Sequence, residues 1–213
     1  MRHLPSDALR LACEIMFSFG WRKGEVLGLQ RRQVNFDEAD YGTLRLDAGS
    51  TKNDDPRIVP LTPTLRGSIA EQLAKLDAWQ TRSGRKTQYL FTHTDGRHEG
   101  QRILGFVKVW KSACLAAELE GLSGDEREKR KRELLARPEG LMKALRHDFR
   151  RTAVRNLLNA GTPERVAMRI TGHRSANVFK RYHIVNLSDL QTAVLRTSDP
   201  ARFENARRRS QRK

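Results

Sequence analysis

Cysteine is nearly absent. Cys13 and Cys114 are the two in 213 residues, with no CxxC and no close, even spacing, so a disulfide framework is excluded. Both fall in apolar helical patterns, which reads as buried free thiols in a reducing compartment. Long apolar runs are missing too, so no stretch can span a bilayer. The start, Met1-Arg2-His3-Leu4-Pro5, lacks the apolar core of a signal peptide. The expectation is a soluble, cytoplasmic protein with no membrane partner. Acidic residues are in deficit: 25 against 41 basic ones, a formal charge of +16. Such an excess concentrates polyanions and adds salt-sensitive affinity for phosphates. Nucleic acid is the leading partner, although charge alone does not separate this reading from a merely basic soluble protein. Finally, there is no HExxH, no HxH and no tight Asp/Glu cluster. No metal and no cofactor are therefore expected.

What is present reads as mainly α with a small antiparallel β-sheet, an α+β class. Ser6 can cap a helix with Leu11, Ile15, Met16 and Phe19 on its apolar face, ended by Gly20. A short helical stretch follows over 25–30. The period then changes, and Val34/Phe36, Leu44/Leu46 and Ile58/Pro60 mark three short strands. The turn 49–56 joins the last two. Thr62-Pro63 opens a helix carrying Leu65, Ile69, Leu73, Leu76 and Trp79. Residues 81–100 are polar and read as loop, and Ile103, Phe106, Val107, Trp110 and Cys114 mark another helix. The stretch 118–140 is dense in charge and reads as a solvated helical insertion. Asp148 caps the next helix, Thr162-Pro163-Glu164 starts one that Gly172 ends, and Ser175 starts a third. A last short helix is expected over 187–196. The tail 201–213 is basic and reads as disordered.

Cleaving a phosphodiester takes a nucleophile, charge to stabilise the non-bridging oxygens, and an acid for the leaving oxygen. Without a metal site, Arg, Lys, His and Tyr must supply these, and guanidinium suits phosphate because it is planar and permanently charged. Four segments offer such groups. The first is 20-GWRKGEVLGL-29, with Arg22 and Glu25. The second is Lys52, within Thr51-Lys52-Asn53 in the strand turn. His147 and Arg150 stand three apart at a helix start, and His173 follows a Gly and precedes Tyr182 by nine residues. Taken singly, each has a plain structural explanation: a surface ion pair, a solvated turn lysine, a surface HxxR, a tyrosine at a core edge.

Together and in this order, the four segments resemble the tyrosine recombinase (phage integrase) family over about residues 6–190. The resemblance implies the fold of the DNA breaking-rejoining catalytic domain and a site-specific recombinase that acts through a 3′-phosphotyrosine. Arg22 and Arg150 would clamp the scissile phosphate. His147 and His173 would hydrogen-bond it, with His147 a candidate to take the tyrosine proton. Lys52 would protonate the departing 5′-hydroxyl, Tyr182 would be the nucleophile, and Glu25 would orient Arg22. Partners would be double-stranded DNA and further copies of the chain, in a tetramer on DNA. Arg127, Lys129, Arg130, Lys131 and Arg132 are candidate DNA contacts in the charged insertion, although a solvated face explains them equally.

Two departures from the family pattern stand beside the motifs: Arg151 where His is usual, and Thr171 where Leu is usual before Gly-His. About twenty residues precede Arg22. The expected organisation is therefore a catalytic domain over 1–200 and a tail over 201–213, without the N-terminal core-binding domain. Whether the chain is a fragment of a longer recombinase stays open. The competing functions are a non-catalytic DNA-binding protein and a type IB topoisomerase-like enzyme, which share the fold.

Overall fold

Helix α1 (Asp7–Phe19) is buried around most of its circumference, through Ala8, Leu9, Leu11, Ala12, Cys13, Ile15, Met16 and Phe19. A helix that is apolar beyond one stripe must be surrounded, and α1 lies in the larger of the two cores. The computed structural model describes residues 1–49, 56–144 and 148–180, together with residues 191 and 194. Around α1 lie α2 (Lys23–Leu27), α3 (Pro63–Ser83) and α6 (Asp148–Asn159). Leu65 and Ile69 of α3 join the same core, as do Trp21, Val26, Leu29, Leu90 and Phe91. The remaining helices are α4 (Val107–Glu118), α5 (Gly124–Ala136), α7 (Glu164–Thr171) and α8 (Ala176–Lys180). Val154, Ala167 and Phe179 form a second, smaller core joining α6, α7 and α8.

Between α2 and α3 stands a three-stranded antiparallel sheet in the order β1 (Val34–Asn35), β2 (Thr43–Leu46), β3 (Arg57–Pro60). Leu44 pairs with Val59 and Leu46 with Arg57. Directly opposed residues share a face, so the register carries Arg57 to the same side as Leu46, which is inside. Ile58 and Pro60, which marked this strand in the sequence, both point outward, with Ile58 57% exposed.

The mainly helical class with a small antiparallel sheet is as expected, and so are the ends of α1 and α7 at left-handed glycines, Gly20 and Gly172. Four local details differ. Ser6 occupies the N-cap position without a side-chain cap bond. Helix α2 runs over Lys23–Leu27 rather than 25–30, because Glu25 folds back onto the Arg22 N–H and starts the helix there. Helix α4 begins at Val107. Ile103 is buried ahead of it, donating its N–H to Phe91 O at 2.9 Å beside an isolated bridge between Thr92 and Arg102. Asp148 is the first residue of α6 rather than its cap. The charged stretch 118–140 does contain a helix, α5, which buries Leu134 alone. No described helix is long and apolar enough to cross a membrane. The turn holding Lys52, the residues around His147, Tyr182, the tail and most of 187–196 lie outside the described residues.

Candidate active site

The site is built where two helices end. Helix α1 stops at Gly20, whose φ of 67° places it in the left-handed region that favours glycine. A Cβ there would lie 3.1 Å from Ala153 Cβ and 3.2 Å from Thr171 Cγ2, so glycine also lets α6 and the end of α7 close in. Helix α7 stops at Gly172, with φ 68°. The His173 N–H then bonds back to Met168 O at 3.0 Å, the six-residue closure of a Schellman end. Trp21 Nε1 donates to Ile170 O at 2.8 Å and ties the two ends together.

Helix ends leave carbonyl oxygens without intrahelical donors, and these carry the negative end of the helix dipole. Buried arginines answer that need here. Arg150, 3% exposed, donates from Nη1 to Gly20 O and to Thr171 O, both at 2.6 Å. Its Nη2 reaches Gly172 O at 3.4 Å, and its Nε donates to His173 Nε2 at 3.0 Å. His173 Nδ1 lies 2.7 Å from Thr171 Oγ1. The ring packs edge-on to Phe179, with centroids 5.3 Å apart.

A second buried guanidinium was not singled out by the sequence. Arg57, also 3% exposed, donates from Nη1 to Thr171 O at 3.0 Å and from Nη2 to Glu25 Oε1 at 2.9 Å. Its guanidinium carbon lies 5.6 Å from the centroid of a Trp21 ring, a cation–π distance. Its Nε is buried with no hydrogen-bond partner among the described residues. Glu25 is thus shared: the oxygen that accepts from Arg57 also accepts Arg22 Nη1 at 3.0 Å, while Oε2 accepts the Arg22 backbone N–H at 2.8 Å. Burial alone would raise the Glu25 pKa, but the Arg22 N–H and the Arg57 and Arg22 guanidinium groups outweigh it and hold the carboxyl below its ordinary value.

The arrangement is continuous. Arg22 and Arg57 meet at Glu25, Arg57 and Arg150 meet at Thr171 O, and Arg150 meets His173. Four of the residues expected from the sequence, Arg22, Glu25, Arg150 and His173, therefore fall in one network, and Arg57 and Thr171 are the links the sequence reading missed. Arg22 is the guanidinium with access to solvent, its side chain 35% exposed. Three permanent cations in a network that holds one carboxylate, which Arg22 and Arg57 share, leave positive charge facing outward at Arg22, which suits an anion such as a phosphodiester. Lys52, His147 and Tyr182 lie outside the described residues. Among the described residues, no group of three His, Cys, Asp or Glu is placed to hold a metal ion.

The cations of α5 stand apart from this network in their bonding. Arg127 Nη1 donates to Leu119 O at 2.6 Å. Arg130 pairs with Glu139 at 2.6 Å and Glu133 at 3.6 Å, and Lys131 with Glu128 at 3.5 Å. Arg132 Nε donates to Glu128 O at 3.4 Å, while Lys129 is exposed.

No curated protein matches the chain. Among solved structures, it is similar to the XerH site-specific recombinase bound to palindromic difH substrate in a post-cleavage complex. There the TM-score is 0.59 and the identity 19%, over 87% of this chain and 44% of that one. It is similar to the Tn1549 transposon integrase in complex with a circular intermediate DNA, with TM-score 0.59 and 13% identity over 88% of this chain and 58% of that one. For the XerA recombinase the values are 0.53 and 18%, over 92% and 64%. The chain thus spans roughly half to two thirds of the length of these structures. At such identities the likeness establishes the fold. The sequence profile of the phage integrase family matches residues 5–188, nearly the whole described region, and the chain therefore belongs to that family.

Proposed function

We propose that this chain is the catalytic part of a site-specific DNA recombinase that cuts and rejoins strands through Tyr182. The observation that carries the reading is the fused network of Arg22, Glu25, Arg57, Arg150 and His173, which assembles fixed positive charge where α1 and α7 end. Preorganised charge of this kind stabilises a phosphorane-like transition state without reorganising at the moment of reaction. Arg22 binds a non-bridging oxygen of the scissile phosphate, and Arg150 adds a second fixed charge beneath it. The Tyr182 phenolic oxygen attacks phosphorus and its proton passes to His147. The bond from phosphorus to the 5′-oxygen breaks, and that oxygen takes a proton from Lys52. The product is a 3′-phosphotyrosine, and attack by a 5′-hydroxyl reverses the step with no external energy source.

Residues 1–200 form the catalytic domain in this reading, with 118–140 as a charged insertion. Double-stranded DNA is the substrate, and copies of the chain join in a tetramer on paired sites. Neighbours in fold with DNA in their structures, XerH with difH and the Tn1549 integrase with a circular intermediate, support a DNA substrate.

The test uses nicked suicide duplexes carrying candidate sites, followed by denaturing electrophoresis. A protein–DNA adduct in the parent protein, absent in Tyr182→Phe while duplex binding persists, is the expected result. An adduct of undiminished yield in Tyr182→Phe assigns the attack elsewhere. Binding without any adduct favours a non-catalytic DNA-binding protein. Relaxation of supercoiled plasmid without strand exchange favours a topoisomerase-like enzyme.

A further inference from the structure

An arginine Nε keeps its hydrogen at every pH a folded protein tolerates. The 3.0 Å contact from Arg150 Nε to His173 Nε2 therefore requires a lone pair on Nε2. A neutral imidazole with a free Nε2 lone pair carries its proton on Nδ1. Nδ1 stands 2.7 Å from Thr171 Oγ1, so that oxygen must accept. It is able to, because the single hydroxyl hydrogen has another acceptor: Ala167 O, one turn back on α7, lies 2.8 Å from Oγ1. The relay runs in one direction only, from Arg150 Nε–H to His173 Nε2, from His173 Nδ1–H to Thr171 Oγ1, and from the Thr171 hydroxyl to Ala167 O. All three side chains are buried, where water does not substitute for a lost partner.

We propose that Thr171 is a positioning residue that holds His173 in the Nδ1–H tautomer, so that His173 acts in the DNA-free protein as the acceptor that fixes the Arg150 guanidinium. The role expected from the family resemblance, a hydrogen bond from His173 to the phosphate, needs a donor, and in this arrangement Nε2 is an acceptor committed to Arg150. Leu, the residue usual at this place in the family pattern, offers no side-chain acceptor to Nδ1. The Schellman closure at Gly172 and the edge contact with Phe179 hold the imidazole at the distance the Thr171 hydroxyl requires. The consequence for strand cleavage rests on the function proposed above; the tautomer does not.

The experiment has two readouts. Long-range proton–nitrogen correlation spectra of DNA-free protein with nitrogen-15 histidine report the tautomer of each ring, and the spectrum of His173→Gln identifies the His173 signals among six histidines. The expected pattern for His173 is a protonated Nδ1 and an unprotonated Nε2, kept in Thr171→Ser and lost or mixed in Thr171→Val. Single-turnover adduct formation on a suicide duplex is then expected to slow about ten- to a hundredfold in Thr171→Val, at unchanged DNA affinity, and to return towards the parent rate in Thr171→Ser. An Nε2–H tautomer in the parent protein overturns the proposal, and so does an unchanged Nδ1–H pattern in Thr171→Val. If Thr171→Val does not fold, the parent and Thr171→Ser spectra decide the tautomer by themselves. Absence of any adduct in the parent protein would count against the proposed function and leave the tautomer assignment to the spectra.

Discussion

Gly172 and Arg57 adjoin so closely that no side chain fits at position 172: a Cβ there would stand 1.9 Å from Arg57 Nη1 and 2.4 Å from its Cζ. The guanidinium has nowhere to retreat, since it is held by Glu25 on one side and Thr171 O on the other. The left-handed φ of 68° adds strain for any residue but glycine. Gly172→Ala is expected to lose about 1–3 kcal/mol from the backbone term alone. Displacement of Arg57 adds to that. Chemical denaturation measures the sum, and a variant as stable as the parent would contradict the packing described.

Arg57 itself offers a sharper test. It is buried, it pairs with a buried carboxylate, and its Nε has no partner among the described residues, so it carries part of its desolvation penalty uncompensated. Removing one member of a buried pair typically costs about 3–5 kcal/mol, because the survivor is left without its counter-charge. Here Arg22 still holds Glu25, so Arg57→Met should fall at or below the lower end of that range. In a double-mutant cycle, Glu25→Gln should cost less in the Arg57→Met background than in the parent. Additive losses in urea denaturation would mean that the two side chains do not interact.

The same pair sets an acid limit. Glu25 has a folded pKa below its ordinary value, so the unfolded chain binds its proton more readily than the folded one does. Its stabilisation is then complete above the ordinary glutamate range, about 4.3, and is lost as pH falls through the depressed folded value. The urea midpoint of the parent should therefore drop between pH 5 and pH 3 more steeply than that of Glu25→Gln. Parallel profiles would remove Glu25 from the acid response.

What the sequence made legible was local. Gly20, Thr62-Pro63 and Gly172 announce helix ends through their own backbone preferences, and each stands at the end or start expected of it. Arg22, Glu25, Arg150 and His173 came from motif spacing. Arg57 was missed because a four-residue strand with Ile and Pro at alternate positions presents its apolar pair as the inner one. The partner strand held the signal: Leu44 and Leu46 face inward, and antiparallel register puts Val59 and Arg57 opposite them. Thr171 was visible only as a departure from a pattern, since nothing in the sequence tells that its hydroxyl lies beside the ring two residues on. The pairing of Thr92 with Arg102 joins the segment read as loop to the start of the next expected helix, and that of Gln30 with Tyr89 joins the same loop to the end of the stretch read as helix over 25–30. Such bridges depend on chain segments that meet only after folding, and no local period reports them.

Metal independence is a further expected outcome. The site's charge comes from guanidinium groups, and among the described residues no carboxylate or histidine cluster is placed to chelate a divalent ion. Adduct formation on suicide duplexes should proceed at its full rate in excess EDTA. Loss on chelation with recovery on adding magnesium would transfer the charge stabilisation from the arginines to a bound ion.

The cations of α5 can be separated by what they already hold. Arg127 donates to Leu119 O and so ties α5 to the end of α4, and Arg130 bridges Glu133 and Glu139. Lys129 stands exposed between them. If this helix meets DNA, the group whose charge is not already balanced by carboxylates should contribute most to counterion release. Each phosphate contact contributes about 0.9 to the slope of log K against log salt. Lys129→Ala should lower that slope by up to about this amount, and Arg130→Ala by less, because the Arg130 charge is already balanced by Glu133 and Glu139. Arg127→Ala should instead lower stability by about 1 kcal/mol through the lost charged hydrogen bond. Binding isotherms from 50 to 200 mM salt, together with denaturation curves, test all three. Equal slopes in the parent and in Lys129→Ala would take that lysine out of the DNA interface.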